Sequence, residues 1–507
     1  MQTSFQSLLK SLSTALPAYL NLLPTAPGNV APTAQSAVAR VATACAKRMC
    51  ILGKPTGRAW EAQPTNLTTT QQGWVCQRLP IRKSALQQVG KPALRCLREK
   101  LRCAPAALAA LVAISPVQAQ TDLKFTFGGE AKPGWTQVLP ANLYSTNTGY
   151  GFEPGARLSA EKNAVTSVTP FYFSAKLPEG NYRVTVVLGG DAIVSTNTVK
   201  AELRRLMLEK IPVAAGDSVA RTFIVNLRTP EIPGGHKVHL KPRETQSEWW
   251  DWDDKMTLEF NGENPSVRTL EIEPASVPTV YVIGDSTVCD QPAEPWNSWG
   301  QMLPRFFKPV VAVANHAESG EAINSSLHAL RFAKIFSLMN PGDYLFVQFG
   351  HNDQKDHATN ALVVYQANLK KIVAMTREKG GTPVLVTSME RKGGVEHDTL
   401  AGYPDAVRAV AREEKCALID LNKMSRVFYR ALGGDIGLAF QDGTHHNNYG
   451  SYELAKCIVE GIKQDKLPLT ADVVDDFGDF DPSHPDSVKE FHMAVSPNAS
   501  TLKPLGN

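Results

Sequence analysis

No two of the eight cysteines stand in the Cys-x-x-Cys spacing of a zinc ribbon or a dithiol redox centre. Five of them (Cys45, Cys50, Cys76, Cys96 and Cys103) fall in the first 103 residues, and only Cys289, Cys416 and Cys457 follow. Three later cysteines leave at least one unpaired, so a disulfide framework is not expected. An excess of either charge is also missing. Lys and Arg number 53 against 49 Asp and Glu, and a net charge of +4 over 507 residues gives no argument for a nucleic-acid partner. Long hydrophobic runs are absent too. The apolar stretch from Cys103 to Val117 is about fifteen residues, short of the roughly 20 that a spanning helix needs. Pro105 and Pro116 weaken it further as a helix, so no stable membrane span is expected.

That short apolar stretch has another reading. The basic segment Arg95-Cys96-Leu97-Arg98-Glu99-Lys100-Leu101-Arg102 precedes it, and Val117-Gln118-Ala119 supplies small residues at its end. Basic region, apolar run and small-residue site make a secretory signal peptide, here over 96–119, with a mature chain beginning at Gln120. A membrane anchor is the competing reading. Residues 1–95 show no sustained helical or strand period, and are expected to be a disordered extension or translation from a start codon placed too far upstream. The expected location is periplasmic or secreted.

The chain is long enough for two or more domains. Residues 120–274 read as all-β. Phe171–Leu177 and Tyr182–Leu188, joined by Pro178-Glu179-Gly180-Asn181, have the pattern of a hairpin. Further strands are expected at 222–227, 237–240, 256–260 and 269–272, and short strands between turns suggest a β-sandwich. Trp249, Trp250 and Trp252 fit either a sugar-stacking platform or interdomain packing. A linker at Glu273-Pro274-Ala275-Ser276-Val277-Pro278 follows.

From Thr279 buried strands alternate with helices. Strands are expected at 280–283, 310–313, 344–349, 383–387 and 417–421, and helices at 299–307, 326–339, 362–379, 404–415, 423–432 and 451–464. This alternation implies an α/β domain over 279–470, a flavodoxin-like doubly wound parallel sheet, with a C-terminal tail over 471–507.

Four polar blocks punctuate this second half. Gly284-Asp285-Ser286-Thr287 ends the first strand, Asn315-His316-Ala317-Glu318-Ser319-Gly320 follows the second, and Gly350-His351-Asn352-Asp353 follows the third. Asp442-Gly443-Thr444-His445 precedes the last helix. Singly each has a plain explanation: a serine or aspartate N-cap, a turn asparagine, a surface histidine. In this order they resemble the SGNH (GDSL-like) hydrolase superfamily, and Gly-Asp-Ser-Thr with Gly-His-Asn-Asp resembles its rhamnogalacturonan acetylesterase branch. Relatives of that kind often carry a galactose-binding-like sandwich ahead of the hydrolase domain. The resemblance covers about residues 279–465.

An ester carbonyl needs a nucleophile, a base and donors for the oxyanion. The expected triad is Ser286, His445 and Asp442, and the resemblance gives the base role to His445 rather than to its neighbour His446. The expected oxyanion donors are the N–H groups of Ser286 and Gly320 and the side-chain amide of Asn352. His351 is expected to lie behind the site or to touch substrate. Gly320-Glu321-Ala322 departs from the Gly-Arg-Ser-like sequence of many relatives. Adjacent histidines are poor geometry for one ion, so no metal or other cofactor is expected. The resemblance implies a serine esterase that removes acetyl groups from a plant cell-wall polysaccharide, pectic rhamnogalacturonan in the first instance. A lipase or thioesterase of the same superfamily and a non-catalytic glycan-binding protein on the same fold are the alternatives.

Overall fold

The apolar runs around Val280 and Tyr344 contain no polar interruption because both their faces are covered. The computed structural model describes residues 122–504; the expected extension (1–95) and leader (96–119) lie outside them. Strands Thr279–Gly284, Ala312–Asn315, Tyr344–Gln348, Thr382–Val386 and Ala417–Ile419 form a five-stranded sheet in which every pair is parallel. Numbered within this sheet, their spatial order is 2-1-3-4-5, the flavodoxin-like order. Val280 and Val282 enter one core with the helices Leu421–Leu432 and Asn448–Gln464. Tyr281 and Ile283 enter the opposite core with Arg331–Leu338, Ala361–Glu378 and Tyr403–Glu414. Alternate residues of one strand thus serve the two faces.

The expected helix over 326–339 is two helices, Ile323–His328 and Arg331–Leu338. Leu330 between them is left-handed at φ 62° and packs on Ile232, Val238 and Trp252 of the preceding lobe. The expected helix over 299–307 is α-helical only at Trp299–Met302, and tightens to a 3₁₀ turn over Leu303–Phe306, which contains Pro304.

The β-rich lobe is a sandwich. One sheet orders Val219–Leu227, Gly180–Leu188, Ser266–Pro274, Leu123–Phe127 and Thr136–Val138; the other orders Tyr150–Phe152, Phe171–Lys176, Lys255–Glu263, Ser195–Ala201 and Arg205–Val213. Phe125, Phe127, Phe173, Val184, Val186, Phe260 and Leu270 fill the space between them. The hairpin expected over 171–188 is not formed. Phe171–Lys176 pairs with Lys255–Glu263, whereas Gly180–Leu188 pairs with Val219–Leu227 and Ser266–Pro274. The turn between them crosses from one sheet to the other, with Tyr182 donating its hydroxyl to the Pro178 carbonyl at 2.8 Å. The expected strand over 237–240 shrinks to a bridge pair, His236–Lys237 against Glu231–Ile232.

The lobes meet through buried charges rather than a bare linker. Arg205, which is fully buried, reaches Asp290 at 3.2 Å. Arg204 donates to the carbonyls of Gln291 and Trp296 at 3.1 and 2.9 Å and pairs with Glu294 at 2.6 Å. Arg331 forks onto Glu244 at 3.0 and 2.6 Å, the bidentate geometry that planar guanidinium favours. Trp252 is buried among them: its indole donates to Glu244 at 3.0 Å, Arg228 lies over its ring and His316 meets it edge-on. Of the two readings of this tryptophan, it is the packing one that its surroundings fit. The C-terminal tail joins the same seam. The Ser496 hydroxyl donates to Glu259, and the parallel bridge Glu294 to Ala499 lays the tail beside the loop that follows Ser286.

Candidate active site

Strand Thr279–Gly284 ends where Gly284 leaves no room for a side chain: a Cβ there would lie 2.5 Å from the Gln348 carbonyl. The chain then turns sharply. The Asp285 carbonyl accepts from Val288 and Cys289 N–H, and the Asp285 carboxylate takes both the N–H and the hydroxyl of Thr287, at 3.0 and 2.7 Å. Ser286 is thereby held at the carboxyl end of the sheet, with its hydroxyl 2.8 Å from His445 Nε2. His445 Nδ1 lies 2.9 Å from Asp442 Oδ2. The other Asp442 oxygen accepts the N–H groups of Thr444 and His445, each at 2.7 Å. Burial alone would raise the Asp442 pKa, but the His445 side chain and these two N–H donors hold it well below the usual carboxylate range. The carboxylate stays ionised, fixes the His445 tautomer and leaves Nε2 to accept the serine proton.

Ser286 and His445 are 3% and 1% exposed, so a charge developing between them is poorly screened. The Trp296 and His445 rings meet edge to face, with centroids 5.8 Å apart and planes at 89°. Its indole donates to the Ser500 carbonyl at 2.9 Å, so the C-terminal tail forms part of the wall. Lys503, also from the tail, approaches Asp442 at 3.9 Å.

The two remaining blocks lie against the Ser286 turn. Gln291 Nε2 ties the first of them to that turn, donating to the Ser286 carbonyl at 2.7 Å and to the Ser319 hydroxyl at 3.3 Å. Gly320 has φ 76°, a conformation in which glycine is unstrained. The Asn352 amide donates to the Glu321 carbonyl at 3.0 Å, and its oxygen accepts from Lys355 at 3.0 Å. One Asn352 N–H therefore braces the Gly320 turn and the second is left for a ligand. Among the described residues, the N–H groups of Ser286 and Gly320 donate to no protein acceptor.

His351 sits behind this assembly. Its Nδ1 is 3.3 Å from Asp285 and its Nε2 is 3.1 Å from the Met389 carbonyl. It ties the Ser286 turn to the chain beyond the fourth strand, with both ring nitrogens turned to these two partners. His446, the neighbour of His445, points the other way, with Nε2 2.8 Å from the Tyr429 hydroxyl. Two residues near the site carried no sequence signal. Arg391 donates to Thr444 Oγ1 at 3.2 Å and to the His351 carbonyl at 3.4 Å, which places it between two of the polar blocks. The Lys355 pKa is lowered, by burial and then by the nearby Arg391 charge, so the two cations converge on one region.

The pattern of the GDSL-like Lipase/Acylhydrolase family matches residues 282–451, which span all four blocks. Rhamnogalacturonan acetylesterase RhgT of Bacillus subtilis (strain 168) is 38% identical over 213 residues, covering 38% of this chain and 91% of that protein. The chain belongs to the GDSL-like lipase/acylhydrolase family. The uncharacterized esterase YxiM of the same organism is 27% identical over 369 residues, 67% of this chain and 90% of its own length. Its crystal structure aligns with 25% identity and a TM-score of 0.38 over 69% of this chain and 99% of that one. As a family member the protein is a carboxylic ester hydrolase.

Proposed function

We propose that the protein is a serine acetylesterase acting on an acetylated plant cell-wall polysaccharide, pectic rhamnogalacturonan in the first instance. The observation that carries the reaction is the hydrogen-bonded series Ser286, His445, Asp442. His445 takes the Ser286 proton as Oγ attacks the acetyl carbonyl. The N–H groups of Ser286 and Gly320 and the Asn352 amide receive the oxyanion. His445 then protonates the departing sugar oxygen, which leaves as the free hydroxyl, and water repeats the sequence on the acetyl-enzyme to release acetate.

The substrate class is supported by the similarity to a rhamnogalacturonan acetylesterase and by the surroundings of the triad. Asn352, Lys355 and Arg391 make that neighbourhood polar and cationic, which suits an acidic glycan better than an acyl chain. Carboxylic acid release from acetylated rhamnogalacturonan, acetylxylan, a long-chain triglyceride and an acyl thioester, compared at equal enzyme, tests this directly. A preference for either lipid substrate would overturn the reading.

Asn352→Ala should lower kcat by roughly 10²–10³-fold, the scale of one oxyanion donor, with little change in KM. Initial rates on a small acetyl ester and on polymer measure it; a change confined to KM would assign Asn352 to substrate binding instead.

Export is part of the same proposal. A polymer outside the cell needs its enzyme there, and the basic segment 95–102 followed by an apolar run supports a mature chain from Gln120. N-terminal sequencing of the exported protein should begin at Gln120; a first residue well before Cys103 would contradict it.

A further inference from the structure

The N–H of one residue and the carbonyl of the residue before it lie in a single rigid peptide plane and, in the trans form, point in opposite directions. Whatever holds the Ser319 carbonyl therefore also aims the Gly320 N–H. Two cations hold it. Lys241 Nζ donates to the Ser319 carbonyl at 2.7 Å, and Arg243 Nη2 donates to it at 3.3 Å. Both come from the excursion of the β-sandwich lobe between strands Val219–Leu227 and Lys255–Glu263, not from the α/β lobe.

Each is fastened at the turn it grips. Lys241 Nζ pairs with Glu321 at 2.6 Å, and Arg243 Nε donates to Glu318 at 2.8 Å. The Lys241 backbone N–H donates to Glu244 at 2.7 Å, and Glu244 is the carboxylate on which the buried Arg331 forks. The lysine is thus anchored at both ends. The far side of the same turn faces the nucleophile, through Gln291, which joins the Ser319 hydroxyl to the Ser286 carbonyl.

We propose that Lys241 is a positioning residue for the oxyanion hole, supplied across the lobe interface. It orients the Ser319–Gly320 peptide. Its positive charge on the carbonyl also polarises that peptide, which makes the Gly320 N–H a stronger donor to the tetrahedral intermediate. No proton passes to or from Lys241, and it touches neither substrate nor the reacting atoms. The inference rests on the reading of Gly320 and Asn352 as oxyanion donors. It gives the β-sandwich lobe a part in the chemical step.

A plain interlobe ion pair, there only to neutralise Glu321, predicts something different. Lys241→Met should lower kcat about tenfold, less than the roughly 10²–10³-fold for losing a donor outright, with KM within about twofold. Affinity for a small alkyl boronic acid, which forms a tetrahedral adduct on a reactive serine, should fall by the same factor as kcat/KM. Lys241→Arg should recover most of the loss. The double variant Lys241→Met with Glu321→Gln should stay slow, because it removes the stranded carboxylate without restoring the hold on the carbonyl. If Lys241→Met does not fold by circular dichroism, Lys241→Gln, which removes the charge but keeps a neutral donor, must still lower kcat several-fold at unchanged KM. Wild-type kcat in the single variant, recovery in the double variant, or a change in KM alone would each overturn the proposal. Asn352→Ala serves as the reference. If it slows turnover and weakens the boronate while Lys241→Met does neither, the oxyanion reading stands and the role of Lys241 falls. If Asn352→Ala also changes nothing, both fall together.

Discussion

Ser286→Ala should remove nearly all turnover, by about 10⁴-fold or more, the scale seen when a triad nucleophile is lost. The argument is geometric. The Ser286 hydroxyl is the atom that faces His445 Nε2, at 2.8 Å, and the Asp285 turn allows it little freedom to move away. Removing one oxygen from a site 3% exposed should leave the fold unchanged, so the loss reports chemistry rather than stability. The check is acetate release under saturating substrate, paired with labelling by a serine-directed phosphonate. Wild-type protein should take up one equivalent and the variant none. Turnover within tenfold of wild type, or labelling of the alanine variant, would remove Ser286 from the role of nucleophile. A non-catalytic glycan-binding protein on this fold would likewise fail to take up the phosphonate.

The α/β lobe was legible in the sequence because its physics is local. A strand covered on both faces must be apolar throughout, and the run 280–283 could be read as one without knowing its neighbours. The polar blocks stood out because each interrupts such a pattern where a strand ends. The sandwich was less legible. Period-2 alternation tells which residues face inward but not which sheet a strand joins, so Phe171–Lys176 and Gly180–Leu188 read as a hairpin although they belong to different sheets. Strand Ser195–Ala201 carried no signal at all. Its sequence Ser-Thr-Asn-Thr-Val-Lys-Ala looks exposed, yet almost all of it is buried. The face turned away from the sandwich core meets the C-terminal tail and paired charges: Lys200 donates to the Ala494 carbonyl and the Ser496 hydroxyl, each at 2.7 Å. Lys200 is tolerated there because chain far beyond any local window of sequence satisfies it, while Thr198 accepts the Lys210 N–H and Asn197 the Ser266 N–H. Gln291 and Lys241 were invisible for the same reason. Their identity matters through acceptors that the fold brings to them from distant parts of the chain.

The two neighbouring histidines give the sharpest comparison. His445→Ala should fall to the same floor as Ser286→Ala, and combining the two should cost nothing more, because nucleophile and base act as one unit. His446→Ala should behave differently. Its ring lies stacked on Tyr429, with Phe440 at 4.1 Å between centroids, and its Nε2 meets the Tyr429 hydroxyl. Burial, helped by the His445 charge, pushes its pKa down to about 3. A ring so reluctant to take a proton, and directed away from Ser286, cannot serve as the base. Truncating it instead opens a cavity and strands the buried tyrosine hydroxyl, which should lower stability by about 2–4 kcal/mol while sparing the turnover of molecules that remain folded. The pH dependence of stability follows from the same shift. Below its ordinary value of 6.5 the unfolded chain binds a proton at His446 that the native state refuses until about pH 3. This contribution to stability is complete above pH 6.5 and is lost as the pH falls toward 3, and an apolar residue at position 446 should flatten that part of the acid limb. Denaturant titrations between pH 7 and 4, with active-site titration to count competent molecules, separate the two roles. Abolished turnover per folded molecule in His446→Ala, beside near wild-type turnover in His445→Ala, would reverse the assignment of the base.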